Sequence, residues 1–451
     1  MPRKNVVKDL RGIALILLAL HGASLLACNF RPGSSEQPAV CSSFTKHQEE
    51  LWSKVITPYL AEALWLPRDS YDAGHFLMVP LHAAFFQGSA AHRNAFHKHV
   101  DRFLEHREEL DSRFHPRLHY LYFLARYLDL ATEHDEHHPR FDKLFSFLEE
   151  EISSWWIERP VYQSGKRFAG GVSERLGWKL TARESNLREH DYSIYQEYFV
   201  LAIALDLKAA ARRLQLSSDD LFDEMLALAR KALETGLQYQ PDGSYLYEVG
   251  YLDDAPSYQY IGHIEKHPDL EPAPMQDVAW DTSHSHRFPL WLYSFWREAA
   301  DNEDTSNEKH FEAMIHGFRQ QFKSQVLVAP DNGFRGARTT NYMDGHNGLY
   351  RWQHITQGSG NGYGPYELSA TLLIGWWSFL NDPGIREAYA ETASAFPLTN
   401  SEISVYLGPD TTRERHPFVA GRAPFTNGFY ELLSSLASAL CTDELPPKRK
   451  N

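Results

Sequence analysis

Apolar residues recur at helical spacing along most of the chain. In Ser43–Trp65 a polar cap precedes Leu51, Val55, Ile56, Tyr59, Leu60 and Leu64 on one face. The same pattern runs through 74–87, 90–108, 116–133, 140–156, 190–214, 217–237, 283–300, 307–322, 364–381, 383–395 and 425–440. Strand-like alternation is confined to Ser324–Val328 and Ile403–Leu407. The pattern predicts an all-α fold. About twelve paired helices in one domain, 43–445, predict an (α/α)6-type toroid around a central funnel. No fixed-period repeat supports a solenoid. Two long connections, Trp156–Glu189 and Tyr239–Thr282, are expected as aromatic- and Gly-rich loops at the funnel mouth.

The amino-terminal apolar run stands apart. Arg3, Lys4, Lys8 and Arg11 lead into Gly12–Leu20, too short to span a bilayer but right for an export signal. Leu25-Leu26-Ala27-Cys28 resembles a bacterial lipoprotein signal. That resemblance implies removal of residues 1–27, lipidation of Cys28, a flexible tether over 28–42 and anchoring at the outer membrane, facing periplasm or cell surface. Of the 3 cysteines, Cys41 and Cys441 remain. An oxidising compartment allows them to pair, and two free thiols are the alternative.

The 451 residues carry 45 basic and 59 acidic side chains, net −14, which argues against nucleic acid as a partner. Aromatics reach 13%, enough to stack on sugar rings as well as to fill a core. Four segments concentrate chemistry. Arg183–Tyr192 holds Asn186, Arg188, His190, Asp191 and Tyr192 ahead of an apolar helix, where free N–H groups favour an anion. Gln240–Glu248 opens on a Pro-Asp-Gly turn and leads to Tyr258 and Tyr260. Asp277–Pro289 packs Asp281, His284, His286 and Arg287 into one short span. Helical spacing puts Asp281, His284 and Arg287 on one face, and a His oriented by an Asp is an acid–base pairing. Asn332–Leu380 offers Trp352, Tyr363 and Tyr366 as stacking surfaces and Glu367 as an acid or a first-turn helix residue.

Two of these windows resemble the alginate-lyase class of polysaccharide lyases, which fold as an incomplete α/α toroid. His190 and Tyr192 match that family's His-x-Tyr at an inner-helix start, and Asp242, Gly243, Glu248 and Tyr258 match its later Asp-Gly, Glu and catalytic Tyr. Glu189 and Tyr251 stand where the family has Asn and Arg. The resemblance implies β-elimination on a uronic-acid polymer, with His190 and Tyr258 as catalytic residues, and the Asp281–His284 pairing adds His284 as a third. Asn186, Arg188 or Arg287 would neutralise the substrate carboxylate, and Tyr192, Asp281, Trp352, Tyr363, Tyr366 and Glu367 would line the groove.

Other chemistries stay open. A glycoside hydrolase would draw paired carboxylates from Asp191, Asp281 and Glu367. A uronate C5-epimerase would share the lyase's proton chemistry, and a glycan-binding surface lipoprotein would need none. No cofactor is predicted: His134–His138 and His263/His267 lack metal-ligand form, although a divalent ion in the funnel stays possible. The expected partner is an anionic poly- or oligosaccharide bound by a monomer, with membrane contact only through the lipid.

Overall fold

The computed structural model describes residues 42–135, 137–185, 192–217, 220–353, 361–409 and 414–440. Cys28, Cys41, Cys441, Asn186, Arg188, Glu189, His190 and Asp191 lie outside them, as do the leader and all but the last residue of the tether. The described residues are mostly helical, with three two-stranded antiparallel hairpins. None of their helices is long and apolar enough to cross a membrane.

Two helices buried along most of their length form the centre. In α5 (Phe114–His134) every side chain from Leu118 to Ala131 is buried, and in α8 (Gln196–Leu214) every one from Glu197 to Ala211. A helix without a solvent face must be packed on all sides. The contacts run in a closed succession. The helix α3 (Met78–Phe86) touches α5, α5 touches α8, and α8 touches α11 (Phe288–Asp301). From α11 contact passes to the 3₁₀ turn Trp376–Leu380, then to α17 (Phe429–Ala439) and back to α3. Flanking helices pack outside pairs of these, among them α6 (Pro139–Ser153) on α5 and α8, and α12 (Thr305–Gln321) on α11.

Several expected elements are divided, for local reasons. The stretch 74–87 becomes α2 (Ser70–Phe76) and α3, broken at Leu77 because Pro80 cannot donate to the carbonyl of residue 76. The stretch 364–381 is not one helix. It forms α13 (Ala370–Leu373) and the 3₁₀ turn, separated by Gly375 at φ +93°, where a Cβ would come within 2.8 Å of Val79. Ile403–Leu407 is not a strand but the end of α15 (Asn400–Leu407), started by a Thr399/Glu402 capping box. Ser324–Val328 is mostly a π-turn, and only Leu327–Val328 pairs as a strand.

Over its described residues, 156–185, the Trp156–Glu189 connection is largely regular. It forms the hairpin β1 (Val161–Gln163) and β2 (Lys166–Phe168), turning at Ser164 and Gly165, both at positive φ, and then the helix α7 (Gly171–Glu184). Hydrophobic periodicity misses α7 because its buried face carries Arg175, Lys179 and Arg183 beside Val172, Leu176 and Leu180. Tyr239–Thr282 is largely irregular as expected. It includes β4 (Tyr245–Tyr247), paired with β3 (Leu237–Tyr239) across the Pro241-Asp242-Gly243 turn, and the 3₁₀ turn Pro256–Tyr258.

The core buries neutral histidines, which links folding to pH. His99 is fully buried; its Nδ1 donates to the Leu60 carbonyl at 2.9 Å and its Nε2 accepts from Tyr120 Oη at 2.8 Å. Burial pulls its imidazole from 6.5 to about 4, against the opposing pull of the Leu60 bond. Below pH 6.5 the unfolded chain gains a proton that folded His99 refuses. Its contribution is therefore complete above pH 6.5, worth roughly 3 kcal/mol, and lost as pH falls towards 4. The urea midpoint should drop across that window, and less steeply in H99Q; equal slopes for the two proteins would contradict this account.

Candidate active site

Three cations on one face of α7 fix the chain that leads into α8. Arg175 Nε donates to Glu197 Oε1 at 2.7 Å, and Lys179 Nζ lies 2.9 Å from the same carboxylate and 2.6 Å from the Ser193 carbonyl. Arg183 pairs with Glu248 and donates to the Tyr192 carbonyl at 3.3 Å. Glu248 accepts from Ser193 Oγ at 2.6 Å and from the Ile194 N–H at 2.8 Å, and Glu197 accepts the Tyr195 N–H at 3.2 Å. All five charged groups are buried. Burial pushes the Glu197 carboxyl up, but Arg175 and Lys179 hold it down at about 2. Burial lowers Lys179 to about 8, with Glu197 opposing. The backbone at Tyr195, the N-cap of α8, is thereby clamped.

Opposite it stands the Asp281–Arg287 segment. Asp281 caps the short helix α10 (Thr282–Ser285) by accepting the His284 N–H at 3.2 Å. Its carboxylate, wholly buried, also accepts from Ser283 Oγ, from Tyr258 Oη at 3.1 Å and from His284 Nδ1 at 2.7 Å. Burial alone would raise the Asp281 carboxyl; His284, Ser283 and Arg351 hold it far below the carboxylate range. Behind it, Asp281 bridges to Tyr342, and the Thr282 N–H donates to the Asn341 carbonyl at 2.8 Å. Asn341 in turn donates to the carbonyls of Gly348 and Gly364 at 2.9 and 2.8 Å. Over its described residues the Asn332–Leu380 segment thus also braces Asp281 from behind. It approaches so closely that a Cβ on Gly348 would lie 1.7 Å from the Ile261 carbonyl.

With Nδ1 committed to Asp281, the His284 tautomer leaves Nε2 as a free acceptor, and no described residue hydrogen-bonds it. The His284 side chain is 31% exposed and lines two adjoining cavities, of about 450 and 530 Å³. Arg351 lines both as well. The smaller also takes in Tyr162, Lys179, Tyr195, Tyr258 and Tyr350, and the larger Tyr71, His75, Arg287, Tyr363, Glu367 and Arg415. Tyr195 lies edge-on to His284 with ring centres 5.1 Å apart, and the Arg287 guanidinium sits 5.1 Å over the Tyr195 ring. Burial pushes the Tyr195 phenol well up, with Arg287 opposing. Arg287 donates to Ser283 O at 2.7 Å, Tyr71 Oη at 3.0 Å and His75 Nε2 at 3.2 Å. Among the described residues, neither Arg287 nor Arg351 has a carboxylate within ion-pair distance, whereas Glu367 is taken by Lys266. No group of three or more His, Cys, Asp and Glu among the described residues is placed to hold a metal ion.

Comparison with protein-family models, with curated proteins and with solved structures gives no match. The function must therefore be read from this geometry.

The structure brings Tyr258, Asp281, His284 and Arg287 together and sets Tyr363 and Glu367 on the adjoining wall. It corrects four expectations. Tyr258 is no base: its hydroxyl donates to Asp281 and accepts the Asp281 N–H at 2.8 Å, and burial with the Asp281 charge raises the phenol far above its ordinary value. Tyr192 lines neither cavity, because its ring packs on Trp178 at 4.9 Å. Trp352, only 4% exposed, is a core residue, and Tyr366 sits beneath the Arg338 guanidinium at 4.8 Å, away from both cavities. Tyr195, Lys179 and Arg351 were missed. The first two look like ordinary helix residues in sequence, and Arg351 lies in a loop with no motif.

Tyr258 and Asp281 act as one unit, so their losses should not add. D281A should cost about 3 kcal/mol by urea denaturation, because it leaves buried partners unsatisfied. Y258F should cost about 1 kcal/mol, and the double variant less than the sum. Strict additivity would show that the two groups are uncoupled.

Proposed function

We propose that this chain is a polysaccharide lyase of α/α-toroid architecture that cleaves a uronic-acid polymer by β-elimination. The closed succession of helix contacts supports the toroid. One observation carries the chemistry: an Asp-oriented histidine with a free Nε2 stands in an open cleft beside two guanidiniums, Arg287 and Arg351, with no carboxylate of the described residues within ion-pair distance of either.

The C5 proton of a uronate is removable only when its carboxylate is neutralised, and Arg351 at the junction of the cavities is the group in position to do so. Nε2 of His284 takes the C5 proton, and Asp281 stabilises the resulting imidazolium. The C–H electrons form the C4=C5 double bond as the C4–O bond breaks. Tyr195, which lines the cavity beside His284 with the Arg287 guanidinium over its ring to oppose the effect of burial, protonates the departing oxygen. The products are an unsaturated uronate and a new reducing end. A carboxylate-pair hydrolase is less well supported, since Asp281 is spent on four hydrogen bonds and Glu367 on Lys266. The proposal includes export and lipid attachment at Cys28.

Incubation with alginate, glucuronan or a glycosaminoglycan should raise the ultraviolet absorbance of unsaturated uronate. H284A and Y195F should each lower kcat by about a hundredfold or more, and R351A should raise KM. New reducing ends without absorbance would mean hydrolysis and end the lyase reading.

A further inference from the structure

An aromatic ring at the rim of the smaller cavity has no role in this mechanism. Tyr162 lies on β1, lines the cavity and is 62% exposed, one of the few large apolar side chains in the described structure to face solvent. Its strand partner across the turn is Arg167, and the neighbours Val161 and Phe168 point the other way, buried at 3% and 1%. Alternation along the strand therefore turns Tyr162 outwards while its neighbours anchor the hairpin.

The hairpin is held firmly. Phe168 packs on Trp178 of α7 at 5.2 Å, and Lys166 Nζ sits 4.4 Å over the same indole. Arg175 Nη1 donates to the carbonyl of Tyr162 itself at 3.2 Å while its Nε grips Glu197. The ion pair that clamps the chain beside Tyr195 thus also fixes the backbone of Tyr162. A rigid, exposed phenol ring at a cavity mouth offers an apolar face at little entropic cost.

We propose that Tyr162 is a stacking platform for a sugar ring of the bound chain, one or more units from the bond that breaks. The larger cavity shares His284 and Arg351 with the smaller one, which gives a bound chain room beyond the sugar held at Tyr162. This deepens the polysaccharide-lyase reading and rests on it for the identity of the ligand.

The test uses the full chain carrying H284A, so that polymer survives, in native gels cast with alginate, glucuronan or hyaluronan. At least one polymer should retard it. Adding Y162A should weaken that retardation about fivefold, and Y162F, which keeps the ring, should restore it. In the active protein, Y162A should raise KM more for long chains than for the shortest cleaved oligosaccharide. No retardation by any of the polymers, retardation insensitive to Y162A, or Y162F as weak as Y162A would each overturn the platform. Tyr162-dependent retardation without ultraviolet absorbance from the active protein would leave the platform standing and remove β-elimination instead.

Discussion

A carboxylate with no access to water organises the candidate site. Asp281 is simultaneously the N-cap of α10, the acceptor for Tyr258 and the partner that sets the His284 tautomer. Burying a charge is unfavourable unless it is paired and hydrogen-bonded, and here the surrounding donors meet that requirement. The consequence is geometric. His284 cannot rotate without abandoning Asp281, and Asp281 cannot move without breaking its bridge to Tyr342 and the Tyr258 bond. Residues that look chemical in sequence, Tyr258 above all, are used up in holding this carboxylate still.

A second buried set of charges holds the opposite wall. Arg175, Lys179 and Arg183 recur every four residues along α7 and meet Glu197 and Glu248. Replacing such pairs with apolar residues often leaves stability unchanged or improved, so their presence points to a demand for position rather than for stability. What they position is the irregular run Ser193–Tyr195, which needs donors and acceptors for its backbone because no helix or sheet supplies them. Tyr195 enters the cleft as the last residue of that run.

The helical class was legible because helices such as α6 and α12 bury apolar residues at helical spacing, and because Pro-Asp-Gly has a local meaning that context did not override; the Thr399/Glu402 capping box, by contrast, made a helix of an expected strand. The Asp281–His284–Arg287 cluster was legible for the same reason, since its geometry is set within a single turn and a half of chain. The illegible parts are those decided at a distance. The helix α7 was hidden because its inward face is cationic, and those cations make sense only beside Glu197 and Glu248, residues drawn from other elements. The division of α2 from α3 hangs on one proline, and the end of α13 on the space beside Val79. Trp352, Tyr363 and Tyr366 are alike in sequence, and only packing sorts a core ring from a cavity wall and from an arginine's platform.

The sign of the charge in the cleft runs against that of the chain. A net −14 repels a polyanion, yet Arg287 and Arg351 flank His284 with no carboxylate of the described residues within ion-pair distance of either. Screening resolves the conflict. At physiological salt the Debye length is about 8 Å, so the bulk of the acidic surface is not felt by a carboxylate already inside a cavity of low dielectric, while the two guanidiniums there are felt strongly. Attraction is therefore local and begins only after entry, and the outer walls must offer something other than charge to a chain that has not yet arrived. Aromatic faces meet that need because stacking is indifferent to the sign of the surrounding field. In the proposed mechanism rings would hold the polymer, guanidiniums would neutralise its carboxylate, and the imidazole would be left with a single hydrogen to move.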